Sequence, residues 1–104
     1  MRPMGSAVAV CRRDDVAPGR FRCVEAEGRK IVVYNVAGSF YATSATCAHL
    51  GGPLDEGLFE EGVVTCPWHA WQFDVRTGES IYDPGRRVAT YPVKVVGDDL
   101  FIEV

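Results

Sequence analysis

The sequence has no long apolar run and no excess of positive charge, and each absence excludes a class of protein. No apolar stretch approaches the roughly 20 residues that a membrane-spanning helix needs. The 14 acidic residues outnumber the 11 basic ones, so a nucleic-acid partner, which requires a basic surface, is not expected. The opening MRPMGSAVAV is too short and too weakly apolar for a secretory signal. We therefore expect a cytoplasmic protein that binds neither nucleic acid nor membrane.

The sequence contains no internal repeat, low-complexity tract or linker, and its 104 residues leave room for one domain. Folded domains cluster around about 100 to 150 residues, and one of this size buries only about 60 to 70% of its unfolded surface. A metal site fastened by several side chains would add stability to such a small core. The sequence predicts a single domain over residues 1–104.

The hydrophobic pattern predicts a nearly all-β chain, because short segments rich in β-branched and aromatic residues alternate with Gly and Pro turns. The predicted strands are 8–11, 20–24, 30–36, 40–43, 63–65, 71–75, 87–96 and 100–104. The segment 45–61 has no periodicity and is predicted as a loop. We expect a small antiparallel β-sandwich or barrel with a loop insertion in its middle.

Histidine is scarce, and both histidines stand close to a cysteine, as Cys47-x-His49 and Cys66-x-x-His69. Four cysteines in a secreted protein would suggest two disulfides, but nothing marks secretion, and cytosolic cysteines stay reduced or bind metal. Each pair offers one thiolate and one imidazole. Four such ligands suit one tetrahedral zinc ion or two irons, so ligand chemistry alone leaves both metals open.

The residues around these pairs distinguish the two metals. Cys47-Ala-His49-Leu-Gly-Gly-Pro53 and Cys66-Pro-Trp-His69-Ala-Trp-Gln-Phe-Asp74 resemble the two cluster-binding loops of the Rieske family. The resemblance continues through Thr77-Gly78, Pro84-Gly85 and the closing strands. It implies one Rieske-type two-iron, two-sulfur (2Fe-2S) cluster within about residues 45–85, with the cysteines on one iron and the histidines on the other. The ligands would be Cys47, His49, Cys66 and His69.

Among Rieske proteins the chain most resembles the small ferredoxins of bacterial aromatic-ring-hydroxylating dioxygenase systems. That resemblance implies a monomeric one-electron carrier without catalysis of its own. Its donor would be a flavin-containing or ferredoxin reductase, and its acceptor a terminal oxygenase. One alternative is a small Rieske subunit of a larger redox enzyme such as a nitrite reductase. Another, from a different class, is a zinc-stabilised binding module, which would be colourless.

The remaining cysteines and the loop residues around the predicted site receive simpler interpretations. Cys11 and Cys23 lie in predicted strands, and we expect them to be small buried hydrophobic residues that bind no metal. The resemblance places Leu50, Trp68 and Pro84 in three loops around the cluster, where we expect them to exclude water, with a docking tip for a partner as the second interpretation.

The charged residues near the predicted site are interpreted as surface. The acidic residues of the insertion are Asp55, Glu56, Glu60 and Glu61. We expect a solvated face there, which would at most steer a basic partner. The pair Arg86-Arg87 is expected to be surface charge alone.

The reduction potential is expected near the low end of the Rieske range of about −150 to +300 mV. Respiratory Rieske proteins carry a further cysteine in each loop, and a serine and a tyrosine whose hydroxyls bond to the cluster. The matching positions here hold Gly52, Trp68, Trp71 and Phe73. Without hydroxyl donors, the more negative reduced cluster is less stabilised. A spectroscopic redox titration measures the potential, and a value in the upper half of the range would contradict the prediction.

Overall fold

The computed structural model describes residues 7–46, 53–68, 70–83 and 85–103, and these ranges consist mainly of short strands. The strands are β1 (Ala7–Arg12), β2 (Phe21–Ala26), β3 (Arg29–Val36), β4 (Ser39–Ser44), β5 (Leu58–Glu60), β6 (Val63–Thr65), β7 (Gln72–Asp74), β8 (Thr90–Tyr91), β9 (Val93–Val96) and β10 (Asp99–Glu103). Short 3₁₀ turns span Arg13–Asp15 and Leu54–Glu56. Within the described ranges, no helix has the length and apolar character needed to cross a membrane. The predicted all-β class is confirmed.

In this part of the chain the strands form three antiparallel sheets, ordered β1-β10-β9, β2-β3-β4-β8 and β5-β6-β7. Among the hairpins with two-residue turns, three have glycine at the second position of the turn, at Glu27-Gly28, Ala37-Gly38 and Glu61-Gly62. Both residues of each turn have positive φ. This is the turn whose twist matches that of paired strands, and glycine at its second position adopts the conformation at little cost. The tight turns therefore fix the register of the hairpins.

Strand β3 is buried on both faces and separates two hydrophobic cores. The first core contains Val16, Val24, Ala26, Ile31, Val33, Ala42, Leu100 and Ile102. The second core contains Val32, Tyr34, Ala45, Leu54, Val64, Cys66, Phe73, Val75 and Val88. Because successive side chains of a strand point to opposite faces, residues 31 and 33 face the β1-β10-β9 sheet and residues 32 and 34 face the β5-β6-β7 sheet. The β2-β3-β4-β8 sheet is thus the middle of three layers.

Two of the secondary-structure predictions are wrong in part. The segment 45–61, predicted as a loop, contains a 3₁₀ turn with fully buried Leu54 and a strand, residues 58–60, paired with β6. The predicted strand 87–96 is two strands, because Pro92 has no N–H to donate and the chain passes there from β4 to β10 as its partner. Strand pairing, which periodicity does not report, accounts for both strands: β5 pairs with β6 across the turn Glu61-Gly62, and β8 pairs with the distant β4.

Cys11 and Cys23 lie in strands, as predicted, but the expectation that they are buried is wrong. Cys11 is partly exposed and Cys23 is exposed, since β2 is an edge strand of its sheet. Partial desolvation raises the pKa of both thiols, helped by the carboxylates of Asp15 near Cys11 and Asp55 near Cys23. Both thiols therefore stay protonated at neutral pH in the metal-free chain.

A buried hydroxyl pair ties β3 to β4 within the second core. Thr43 Oγ1 donates to the Ser44 carbonyl at 2.9 Å, so it accepts the hydrogen of the Tyr34 hydroxyl, 2.8 Å away. Burial raises the pKa of the Tyr34 phenol. The hydroxyl is therefore a neutral donor at all physiological pH values.

The substitution Tyr34→Phe removes this hydrogen bond and is expected to cost about 1 kcal/mol, or roughly 4 to 8 °C in melting temperature for a domain of this size. Because the folded-state pKa is raised, the contribution of the phenol is present below its unfolded pKa of about 10 and is lost as the pH rises further. The difference from wild type should therefore narrow above about pH 10. Circular dichroism melts of wild type and Tyr34→Phe, at neutral pH and above about pH 10, measure this difference in stability.

Tyr82→Phe is the matched control, since the Tyr82 side chain is in solvent and 76% of the residue is exposed. It should melt as wild type does. Equal effects of the two substitutions would contradict a role for the buried hydroxyl.

Candidate metal centre

Cys66 is fully buried and follows directly on the last residue of β6, Thr65. Its amide donates to the Trp71 carbonyl at 2.7 Å, which closes the loop 66–71 at its base. Within the loop, Ala70 has a left-handed φ of 57°, uncommon for a residue that carries a side chain. The backbone position of Cys66 is therefore held both by β6 and by the hydrogen bond across the loop.

The sulfur of Cys66 accepts a hydrogen bond from the Trp68 amide at 3.4 Å. Pro67 has no N–H, so Trp68 supplies the first amide after Cys66 that can donate to it. A hydrogen bond to the charged form of a group favours that form, and a metal-bound cysteine is a thiolate. Burial alone favours the neutral thiol, so it is the Trp68 N–H donor that fits Cys66 as a thiolate ligand, with a bound iron neutralising the charge in the buried position.

The other predicted ligand loop begins and ends at positions that belong to the same core. Thr46 and Pro53 form an isolated antiparallel bridge, and the Leu54 amide donates to the Ala45 carbonyl at 2.8 Å. Ala45 and Leu54 are both buried in the second core, which also contains Cys66. The base of loop 47–52 therefore lies on the hydrophobic core that carries the base of loop 66–71.

Among the four predicted ligands, Cys66 is the one that the structure describes. Outside the described residues lie Cys47, His49, Leu50, Gly52, His69 and Pro84. Their sequence neighbours are placed, since Thr46 directly precedes Cys47, and Trp68 and Ala70 flank His69. The full ligand set thus stays a prediction, with the two closed loop bases as its structural support.

A third segment, which follows β7, packs beside loop 66–71. Ser80 forms a bridge with Phe73, and the Ile81 amide donates to the Gln72 carbonyl at 2.9 Å. The Ser80 amide in turn donates to the Arg86 carbonyl at 2.9 Å. These backbone bonds place the turn 81–86 next to the residues that close the Cys66 loop.

The large apolar side chains in and after the Cys66 loop include both buried and exposed ones. Phe73 is fully buried, and Trp71 stacks on it with ring centroids 6.4 Å apart and an interplanar angle of 27°. Trp68 is 49% exposed, as are Ile81 to 47% and Tyr82 to 76%. Trp68 lies in the Cys66 loop and Ile81 and Tyr82 in the segment after β7, and all three are open to solvent.

The charged residues of the insertion are mostly solvated, as expected. Glu56, Glu60 and Glu61 are exposed, whereas Asp55 is partly buried and lies near Cys23. Both residues of the arginine pair are exposed, as expected for surface charge, and each also makes a defined contact. Arg86 stacks over the Trp71 ring, with its guanidinium carbon 5.5 Å from the ring centroid. Arg87 donates to the Thr77 carbonyl at 2.9 Å.

Gly57 lies beside the Cys66 site, and the sequence pattern does not reveal why a glycine is required there. An added Cβ there would overlap the backbone carbonyl of Thr65, the residue before Cys66. The requirement for glycine comes from this close approach between two chain segments, since the φ of Gly57 is −85° and suits any residue. In the sequence, Gly57 is one residue of the segment 45–61 that is predicted as a loop.

Comparison with known proteins identifies the class. Residues 6–92 match the model of the Rieske [2Fe-2S] domain. The chain is 38% identical over 96 residues to the ferredoxin component of biphenyl 2,3-dioxygenase from Rhodococcus jostii, covering 91% of this chain and 90% of that protein. It is 33% identical to the ferredoxin component of the naphthalene 1,2-dioxygenase system from Pseudomonas aeruginosa, covering 86% and 88% of the two chains.

Solved structures of dioxygenase ferredoxins have a fold similar to that of this chain. The ferredoxin of carbazole 1,9a-dioxygenase from Nocardioides aromaticivorans superposes with a TM-score of 0.86 at 31% identity, covering 93% of this chain and 96% of the other. A chain from a complex of reduced oxygenase and oxidized ferredoxin in carbazole 1,9a-dioxygenase has a TM-score of 0.85 at 32% identity, covering 93% and 92%.

This chain therefore belongs to the Rieske [2Fe-2S] family. Its cofactor is one Rieske-type 2Fe-2S cluster. The resemblance in its two Cys and His loops is confirmed at the level of the family, and the zinc alternative is set aside.

The substitution Gly57→Ala is expected to displace the end of β6 that carries Cys66. Forcing an extra carbon into a packed site typically costs about 1 to 3 kcal/mol, so both the melting temperature and the iron content of the purified protein should fall. Iron analysis and thermal melts measure the two effects. Gly85→Ala is the control, because its added Cβ would lie an ordinary 3.4 Å from Asp83 Oδ1. Full iron loading of Gly57→Ala would contradict the prediction.

Proposed function

We propose that this protein is the Rieske ferredoxin of an aromatic-ring-hydroxylating dioxygenase system. It takes single electrons from a flavin-containing or ferredoxin reductase and delivers them to the terminal oxygenase, in the cytoplasm and as a monomer of one domain over residues 1–104. The observation that carries the proposal is the match, over about nine tenths of both chains, to a protein named as the ferredoxin component of a dioxygenase. The chain performs no substrate chemistry of its own.

We further propose Cys47 and Cys66 as the ligands of one iron and His49 and His69 as those of the other. When bound, the cluster supplies one-electron redox chemistry. Two neutral imidazoles in place of two thiolates leave less negative charge at the site, so the addition of an electron meets less repulsion. The environment of Cys66, buried and bonded to the Trp68 amide, supports this assignment.

The exposed apolar residues beside the Cys66 loop support a place for partner contact. Trp68, Ile81 and Tyr82 form this exposed group, and Trp68 lies between the proposed ligands Cys66 and His69 in the sequence. A partner that covers these side chains excludes water next to the redox site and shortens the path for the electron. A small apolar area suits a carrier that must dissociate after each transfer.

Replacement of any proposed ligand is expected to abolish the cluster, because the iron that it binds then keeps only one of its two protein ligands. The variants are Cys47→Ser, His49→Ala, Cys66→Ser and His69→Ala. Iron and acid-labile sulfide per chain, visible absorption and electron paramagnetic resonance of the reduced protein measure the loss. Cys11→Ser and Cys23→Ser are the controls, since these residues lie in β1 and β2, outside the two proposed ligand loops, and they should retain both iron and colour.

The same proteins test the function when combined with the reductase and terminal oxygenase of the host. Wild type and the two control variants should sustain product formation in proportion to their concentration, and the four ligand variants should not. Copurification of the chain with a large partner at fixed stoichiometry would show a permanent subunit. An intact, redox-active cluster in a ligand variant would contradict the assignment of that residue.

A further inference from the structure

The guanidinium of Arg86 occupies a defined place between an acidic and an aromatic side chain. Its carbon lies 5.5 Å from the centroid of the Trp71 ring, over the ring face. Its Nε lies 3.5 Å from Asp83 Oδ2, and the side chains of this ion pair are 52% and 53% exposed. Because an ion pair this exposed is weak, its main effect is to orient the guanidinium plane, and the attraction to the ring comes from the cation–π contact.

Hydrogen bonds that do not involve the Arg86 side chain hold the backbone around this residue. The Arg86 amide donates to the Asp83 carbonyl at 2.9 Å, and the Arg86 carbonyl accepts from the Ser80 amide at 2.9 Å. The Gly85 amide donates to Asp83 Oδ1 at 3.2 Å. A side chain carried on such a turn loses less conformational freedom on making a contact than one carried on a mobile loop. Arg86 is thus well placed to restrain what it touches.

Trp71 connects this contact to the Cys66 loop. One face of its indole receives Arg86, and its ring also stacks on Phe73, which is fully buried in the second core. Its carbonyl accepts the hydrogen bond from the Cys66 amide at 2.7 Å that closes the loop. A displacement of Trp71 would therefore open the base of the loop and admit water to the second core beside Cys66.

We propose that Arg86 is a positioning residue for the 2Fe-2S cluster, holding Trp71 against Phe73 so that the Cys66 loop stays closed. It also places a permanent positive charge beside that loop. The inference rests on the proposed ligand role of Cys66. It goes beyond that role, because it assigns a function to a residue outside the proposed ligand set.

Two measurable properties follow from these two effects. A closed loop slows the escape of iron, so Arg86 should lengthen the lifetime of the cluster. A nearby cation favours the more negative reduced state, so Arg86 should raise the reduction potential. The planar guanidinium stacks on an indole better than an ammonium group does, while lysine keeps the charge. Lysine at this position therefore separates the two effects.

The experiment compares Arg86→Gln, Arg86→Lys and the matched control Arg87→Gln. Arg87 is the adjacent arginine, and its guanidinium donates to the Thr77 carbonyl. Bleaching of the visible absorption in excess iron chelator gives the rate of cluster loss, and a redox titration gives the potential. We expect Arg86→Gln and Arg86→Lys to bleach about three- to fivefold faster than wild type, the factor that one cation–π contact at a half-exposed site supports. Arg87→Gln should bleach at the wild-type rate.

The reduction potentials should order the variants differently from the bleaching rates. Arg86→Gln should have a more negative potential than both wild type and Arg87→Gln, and Arg86→Lys should lie closer to wild type because it retains the charge. If Arg86→Gln accumulates too poorly to be measured, the bleaching rate of Arg86→Lys tests the positioning role on its own. Equal bleaching rates for wild type and Arg86→Lys would overturn the positioning role while leaving the proposed function intact. A wild-type protein that binds no cluster would overturn both.

Discussion

The burial of β3 on both faces is the constraint on which the rest of the structure depends. A strand covered on one side by the β1-β10-β9 sheet and on the other by the β5-β6-β7 sheet must be apolar at successive positions, and residues 31–34 are all fully buried. The second of the two cores that it separates contains Cys66. The same packing that stabilises the domain therefore removes the proposed ligand from water.

The loops at this core are closed by main-chain hydrogen bonds, a feature that matters for an electron carrier. The bond between Cys66 and Trp71 closes one loop, and the bond between Leu54 and Ala45 closes the base of the other. Groups held in place by the protein need not rearrange when the charge of the cluster changes. Arg86, over the outer face of Trp71, extends this restraint to the surface.

The surface around the site is suited to brief association. Its apolar residues Trp68, Ile81 and Tyr82 are few and exposed, whereas the acidic side chains Glu60 and Glu61 are solvated on the neighbouring sheet. Charges of this kind act chiefly on the rate of encounter and lose their effect with salt. A carrier that serves two partners in turn requires this combination, because a large apolar interface would slow its release.

The sequence by itself determined the all-β class, most strand positions and the family, because strand periodicity, turn residues and the two Cys and His loops are local patterns. It did not determine the strand 58–60, the division of 87–96 at Pro92 or the exposure of Cys23, since each depends on how strands pair in the folded chain: residues 58–60 pair with β6, residues 90–91 with the distant β4, and β2 is an edge strand. The contact of Arg86 with Trp71 and the close approach of Gly57 to Thr65 likewise exist only in the folded chain. Tertiary structure decided these features because burial and contact are properties of pairs of segments, and a local pattern specifies only one member of each pair.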